Sequence, residues 1–519
     1  MFSKSNLSYF KNDIPSGLVV SLVALPLCFG IAQGSEAEPF AGIIAGFIGG
    51  IIVTIFSGSK FGVSGPAAGL ITIVVAAITD LGYEGFLLAL VLSGIIQFLM
   101  GLFRLGIVGY FIPTSVIHGM LASIGITLIL KQIPHALGDD NDIIGDMAFR
   151  QIDGENTFSE ILYSLQHLTF GAILIFIVSM GILLLWEVPK IKNYPKLKLF
   201  PVPLLVVGVG ALMNQLFILV GGSFAEMTVL EQAHLIDLPD GLSDGNYLDL
   251  LVTPDFSFFA NKNVYIHAIT LALVGSIASL LCLEATDKLD PEKNITPTNR
   301  ELKAQGIGNF ISGLLGGLPV AMVIIRSSAN INAHAKTKLS SFYHGLFLIA
   351  SVFIFPEILE TIPLASLAAI LILIGIKLVK INEIIRQFRT KWENGLVIVV
   401  TIFAVLLTDL LIGVGIGFVL SMFFLLRTSY ELAFISHVDE KNNKTVISFA
   451  QIVSFLNKGA LMTTLQNIPN GSEVKISAKK CHTMSKEIQE VIKNFRDINS
   501  KNKDIKLTLI GFEKFFTEE

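Results

Sequence analysis

Charge is what this chain has least of. Asp, Glu, Lys and Arg make up 15% of its 519 residues, against about 25% in an average soluble domain. Cysteine is almost as scarce. Cys28 and Cys282 sit inside apolar runs and Cys481 stands apart from both, which excludes a disulfide framework and a zinc site and leaves three packing residues. No phosphate-cradling loop ends in Lys-Ser/Thr, no His/Cys cluster has metal spacing, and no nucleophile elbow occurs. An ATP-driven pump and a soluble enzyme are therefore disfavoured, and neither cofactor nor metal is predicted. A net charge of −4 gives no reason to expect a nucleic-acid partner. The alternating apolar pattern of barrel strands is missing. No cleavage site follows the first apolar run, whose flank holds Lys4, Lys11 and Asp13, so that run is predicted to stay as a membrane helix.

What is present in quantity is apolar surface. Hydrophobic residues reach 52% and the mean hydropathy is +0.70, so lipid must be the solvent for most of the chain, and in lipid the continuous runs seen here must be helices. Runs near the roughly 17–25 residues that span a bilayer fall at 14–33, 40–56, 66–80, 85–103, 107–131, 165–186 and 200–220. A second seven follow at 264–286, 303–317, 320–335, 341–356, 362–378, 393–409 and 411–427, several short or broken by Gly and Pro. A cytoplasmic N-terminus puts the basic connections on the cytoplasmic side: Lys190, Lys192, Lys196 and Lys198 after the sixth span, Lys377, Lys380, Arg386, Arg389 and Lys391 after the twelfth, and Lys60, Arg104 and Lys336 elsewhere. Asp139, Asp140, Asp142, Asp146, Asp153 and Glu155 gather in one loop on the other side. From 438 the composition turns polar, with strand-like segments at 444–449, 473–477 and 505–510. Ile488, Val491, Ile492 and Phe495 form an i, i+3, i+4, i+7 stripe between the last two, predicting an amphipathic helix on a small sheet. The reading is an all-α polytopic membrane region over 1–437 and a cytoplasmic α/β domain over 438–519.

Two interruptions carry the chemistry. Ser57-Gly58-Ser59-Lys60-Phe61-Gly62-Val63-Ser64-Gly65-Pro66-Ala67-Ala68-Gly69 precedes the third span, and Gly313-Leu314-Leu315-Gly316-Gly317-Leu318-Pro319-Val320 precedes Ile324-Ile325-Arg326-Ser327-Ser328-Ala329-Asn330 in the tenth. Interrupted spans at corresponding places in two halves mark the midplane site of an inverted-repeat transporter. Facing helix N-termini there would form a dipolar trap for an anion. Arg326 lies in an apolar segment, where a charge costs a few kcal/mol on insertion scales. It either attracts an anion, or it snorkels or pairs with a carboxylate. Ser64 and Ser327 either donate to a ligand or serve packing. Glu284 and Asp287 read as the hydrated end of the eighth span, His118 as a histidine bonded to backbone, and His334 and Lys336 as interfacial.

In their order along the chain, the motifs resemble the sulfate permease (SulP) family over essentially its whole length. They are Asp13-Ile14-Pro15-Ser16-Gly17 with Ala24-Leu25-Pro26; Gly58-Ser59 with Val63-Ser64-Gly65-Pro66; and Phe111-Ile112-Pro113 with Val116-Ile117-His118-Gly119. Asn299-Arg300-Glu301-Leu302 with Gly306-Ile307-Gly308-Asn309, and Gly316 through Asn330, complete the set. The resemblance implies fourteen helices in a seven-plus-seven inverted repeat divided into core and gate, a STAS-like C-terminal domain, and a homodimer. It implies an anion held between spans three and ten, by Ser64, Gly65, Pro66, Ala67 and Ala68 and by Ile324, Ile325, Arg326 and Ser327, with Leu27 and Ile31 from span one. Two positions depart from the pattern: Leu27 stands where many relatives have Gln, and Ala278 where many bacterial relatives place the carboxylate of cation coupling.

The function predicted is secondary transport of sulfate or bicarbonate by alternating access, with Na⁺ or H⁺ as the candidate coupled ion. Two alternatives stand beside it. A nucleobase or organic-acid transporter on the same fold would want carboxylate anchors in spans eight and ten, where the chain has Ala278 and Ile325. A membrane sensor or scaffold would act through the tail domain.

Overall fold

The computed structural model describes residues 9–140, 149, 156–189, 201–236, 251–354, 356–431, 434–439 and 443–516. The basic connection 190–198 and Asp142, Asp146, Asp153 and Glu155 lie outside them. The chain divides into two compact units, Met1–Gly417 and Phe418–Glu519.

The first unit is helical. Among the described residues nine helical runs of the chain are long and apolar enough to cross a bilayer, and two more, Leu339–Ile354 and Trp392–Leu407, are apolar but shorter. The helices used below are α1 (Phe10–Gly34), the run Pro39–Phe56 as α2, α3 (Ile71–Leu102), α4 (Thr114–Leu137), α5 (Phe170–Glu187), α6 (Val202–Val220), α7 (Lys262–Leu289), α8 (Thr298–Leu314), α9 (Ile324–Asn332), α10 (Leu339–Ile354), α11 (Leu364–Leu378), α12 (Trp392–Leu407) and α13 (Leu410–Glu431).

The fold class agrees with the sequence reading; several ends do not. The expected spans 66–80 and 85–103 belong to one run, α3, divided at Gly82. There φ is +69°, a conformation glycine reaches without steric cost. The span expected at 303–317 begins earlier, at Thr298, because Asn299, Arg300 and Glu301 extend the helix with polar residues that hydropathy does not count. The span expected at 320–335 shrinks to the nine residues of α9, because Val320–Met322 is a strand.

The helices pack in two groups. Helix α3 packs chiefly on α7 and α8, and α1 on α10 and α2; separately, α4 packs on α11 and α12, and α11 on α5. Contacts between the groups are few. The apolar side chains left outside, such as Leu212, Leu216, Leu219, Phe423 and Leu425, are more than half exposed, as lipid-facing residues must be.

The second unit starts within α13 and carries a four-stranded sheet whose strands lie side by side in chain order. They are Phe434–Asp439 (β3), Lys444–Phe449 (β4), Glu473–Ser477 (β5) and Lys506–Ile510 (β6), the first pair antiparallel and the rest parallel. Strand β3 opens at Phe434, before the change in composition at 438. The stripe predicted from sequence sits on helix Lys486–Asn494 and the turn after it, with Ile488, Ile492 and Phe495 buried against Ile447, Val474 and Ile476.

Candidate functional site

Each interruption folds as a three-residue strand, and the two strands find each other. Ser64–Pro66 (β1) pairs antiparallel with Val320–Met322 (β2), Ser64 opposite Met322, Gly65 opposite Ala321 and Pro66 opposite Val320. Beyond Pro66 the chain enters the turn Ala68–Leu70 and then α3; beyond Met322 it enters α9. Because the strands are antiparallel, the two helices leave the ribbon in opposite directions, and both present their N-terminal ends to it. Neither start has a side-chain cap, so the positive end of each dipole and its orphan N–H groups are left at the ribbon.

A polar ladder on α8 holds the ribbon. Glu301, Gln305, Asn309 and Ser312 recur on one face of a buried helix. Gln305 donates from Nε2 to Ser64 Oγ at 2.8 Å. Asn309 donates to Val320 O at 3.0 Å and accepts from Val320 N at 2.6 Å. Ser312 donates to Leu318 O at 2.6 Å. Glu301 anchors the foot of the ladder, accepting from Ser57 Oγ at 2.5 Å and from Gln305 Nε2 at 2.8 Å. On α9, Ser327 accepts from Val63 N at 3.0 Å and Asn330 donates to Phe61 O at 3.0 Å. On α7, Ser279 accepts from Met322 N at 3.3 Å.

The residues singled out from sequence thus part into two kinds. Ser64 and Ser327 have their hydroxyls committed to the scaffold, Ser327 also donating to Val323 O at 2.8 Å. Ala67 and Ala68 are partly open, and Leu27, Ile31, Ile324 and Ile325 are buried. Ala278 is half-buried next to Ser279.

Arg326 is wholly buried behind the ribbon. Its Nη2 donates to Cys28 Sγ at 3.3 Å, while Nε and Nη1 have no partner. A Cβ on Gly65 would lie 2.2 Å from Nη1, so glycine is required there for the guanidinium to pack against the strand backbone. The cation is therefore one backbone layer behind the ribbon, and no carboxylate among the described residues pairs with it. Its influence on the ribbon is that of a fixed charge in a medium of low dielectric.

The ladder on α8 is what sequence reasoning missed. Its signal was legible as four polar residues at i, i+4, i+8 and i+11 in an otherwise membrane-length helix. Other sequence candidates are structural. Asp287 accepts from Thr296 N and Oγ1, Glu284 pairs with Lys288 at 3.6 Å, and Lys336 N donates to Asp13 at 2.7 Å. His118 meets a carboxylate and not backbone, with Nε2 3.6 Å from Glu383.

A cavity of about 130 Å³ opens between the two helix groups, lined by Pro15 and Val19 of α1, Ala329 and Asn332 of α9, Trp186 and Glu187 of α5, and Ile370 and Lys377 of α11 among others. It runs along α9 away from the ribbon. A separate polar knot ties the loops beyond α4 and α6. Asp140, buried, lies 2.6 Å from His135 Nδ1 and 2.7 Å from His234 Nδ1. Burial pushes its carboxyl up, but the two histidine hydrogen bonds outweigh that and hold it below the usual range. His234 is raised, first by the hydrogen bond it donates to Asp140.

Two broken helices meet beside a buried cation in this helical membrane protein, the arrangement of an inverted-repeat transporter. Residues 10–401 match the sulfate permease family, and the chain belongs to it. It is 28% identical to "Putative sulfate transporter YvdB" of Bacillus subtilis over 83% of this chain and 76% of that one. It is 27% identical to "Bicarbonate transporter BicA" of Picosynechococcus over 80% and 70%. Among solved structures it resembles the murine Solute Carrier 26 family member A9 anion transporter in the inward-facing state, with a TM-score of 0.66 at 15% identity, covering 98% of this chain and 86% of that one. Its relatives are transporters, and this protein is a multi-pass membrane transporter of the same family.

Proposed function

We propose that the protein is a secondary transporter of a small inorganic anion, sulfate or bicarbonate, across the cytoplasmic membrane. The anion sits at the crossing of β1 and β2, between the uncapped starts of the turn Ala68–Leu70 and of α9. The carrying observation is Arg326: a wholly buried guanidinium with two unpartnered nitrogens and no counter-charge among the described residues, packed on the strand whose next residues open the site. Burying an ion without a partner costs several kcal/mol, and an arriving anion offsets that cost. Backbone N–H groups of Ala67, Ala68 and Ile325 supply the hydrogen bonds, while Leu27, Ile31 and Ile324 keep water out.

Both named substrates occur among the relatives, and a site built on backbone donors accepts a planar monoanion and a tetrahedral dianion alike. Transport proceeds by alternating access, the helix group of α4, α5, α6, α11 and α12 moving against the group that holds the ribbon, with the cavity along α9 as one approach. The protein acts as a homodimer with cytoplasmic termini, and the tail is a STAS-like regulatory domain. Uptake of labelled sulfate and labelled bicarbonate into proteoliposomes tests the reading. Saturable uptake of either, competed by the other, is the expected result; uptake of neither above that of empty liposomes would overturn it.

A further inference from the structure

Behind the ribbon the buried guanidinium is held by a thiol. Cys28 follows Pro26 in α1 by two residues and is wholly buried. Its place is set by α2, whose Gly42 and Gly46 stand four residues apart on one face and let the two helices close up. A Cβ on Gly42 would collide with the Cys28 carbonyl oxygen, and one on Gly46 would come within 2.8 Å of Cys28 Sγ and 2.5 Å of Leu348 Cδ2 of α10. The sulfur is therefore clamped between helices at the spot where Arg326 Nη2 donates to it at 3.3 Å. Among the described residues it is the hydrogen-bond partner that the guanidinium has, Nε and Nη1 having none.

The chemistry of that partner matters more than its position. A thiol is neutral near pH 7 and a weak acceptor, so it fixes the direction of the guanidinium without cancelling its charge. A carboxylate in the same place would form a charge-assisted pair with Arg326, and the field reaching the ribbon would fall from that of an ion to that of a dipole. We infer that Cys28 is a positioning residue for anion binding: it holds the Arg326 guanidinium against Gly65 and leaves that charge uncompensated, so that the counter-charge has to come from the transported anion. The inference rests on the anion site proposed above and adds the group that keeps the site charged while it is empty. It also sets affinity against stability at position 28, because the pairing that would relieve the buried cation is the pairing that would remove its pull on the substrate.

The test places Cys28→Asp in the wild type and in Arg326→Met, and measures melting temperature together with the KM and kcat of labelled sulfate and labelled bicarbonate uptake. In the wild type, Cys28→Asp is expected to raise the melting temperature by several degrees, because the guanidinium gains a partner, and to raise KM about tenfold with a smaller change in kcat. In Arg326→Met the same substitution leaves a buried carboxylate unpaired, so the melting temperature falls. Shifts of one sign in both backgrounds, which packing alone would give, overturn the inference. So does a KM that Cys28→Asp leaves unmoved while Arg326→Met impairs uptake. If Cys28→Asp does not fold, Cys28→Ala and Cys28→Ser decide: KM rises several-fold when the acceptor is lost and recovers when a neutral hydroxyl replaces the thiol, and equal KM in wild type, Cys28→Ala and Cys28→Ser overturns the inference. These outcomes leave the anion site standing, whereas uptake unchanged by Arg326→Met would overturn that site and the role of Cys28 with it.

Discussion

Arg326 concentrates the residue-scale question, because charge and volume act together in one side chain. It is among the largest wholly buried side chains, so Arg326→Ala would remove the charge and also leave a void, at a cost of about 2–5 kcal/mol for deletions of that size. Arg326→Met keeps most of the volume and deletes only the charge. Its expected phenotype is a monodisperse, thermally stable protein whose anion uptake falls at least tenfold. Unchanged uptake would remove Arg326 from the mechanism. Gly65→Ala approaches the same group from the strand side. Its Cβ has to displace Nη1, so substrate affinity should weaken while Arg326 stays charged, and a KM no different from wild type would show the approach to be unimportant. Asp140 offers a test outside the membrane. Its depressed pKa stabilises the folded loops above about pH 3.8, and that contribution is lost as pH falls further. The raised pKa of His234 contributes fully below about pH 6.5 and is lost as pH rises through the folded value. The knot is therefore strongest between those limits, and melting temperature should decline above them. Asp140→Asn should flatten that decline; an identical pH profile in the variant would show the knot to be inert.

The element that governs the site is α8, and its energetics lie in hydrogen bonds, not in charge. Asn309 satisfies both the N–H and the C=O of Val320. Asn309→Leu leaves two buried backbone groups without partners, at about 1–3 kcal/mol each, and frees β2 from its register. The expected outcome is a lower melting temperature together with a raised KM, and a variant that loses stability while keeping KM would show that ribbon register does not set the site. The contrast between ladder and ribbon also explains what the sequence made legible. Long apolar runs announce helices because the bilayer demands them, and the Gly/Pro breaks before Pro66 and Val320 announced where helices stop. Strand pairing across more than 250 residues is a tertiary event, which no local pattern encodes. Ser64 and Ser327 looked as fit for the anion as for the scaffold until Gln305 and Val63 were seen to claim their hydroxyls. The start of α8 was hidden by the polar residues that give it its role. Arg326 was legible as an intramembrane charge, but its place behind Gly65 was not, since only packing separates a ligand from a charge that acts through the backbone.

At the scale of the whole molecule the open quantity is what drives the anion. Coupling to a cation needs a carboxylate whose occupancy changes with the substrate, and at the position where the sequence resemblance leads one to expect it this chain has Ala278. The buried carboxylates described elsewhere in the core group are already engaged: Asp13 accepts from Lys336 N, Thr337 N and Thr337 Oγ1, Asp290 from Glu292 N, Asn294 N and Asn294 Nδ2, and Glu301 from Ser57 and Gln305. None of these sites has the hard, multi-oxygen shell that a metal cation requires. An inward Na⁺ gradient is therefore expected to leave anion uptake unchanged, whereas preloading the vesicles with unlabelled anion should accelerate it, as exchange demands. Among the described residues Glu301 is the carboxylate with a hydrogen-bonded route to the ribbon, through Gln305 to Ser64. If an inward H⁺ gradient stimulates uptake, Glu301→Gln should abolish that stimulation while leaving exchange intact, because the amide keeps the contact with Ser57 and cannot take up the proton. Stimulation that survives the substitution would place the coupling group elsewhere in the chain.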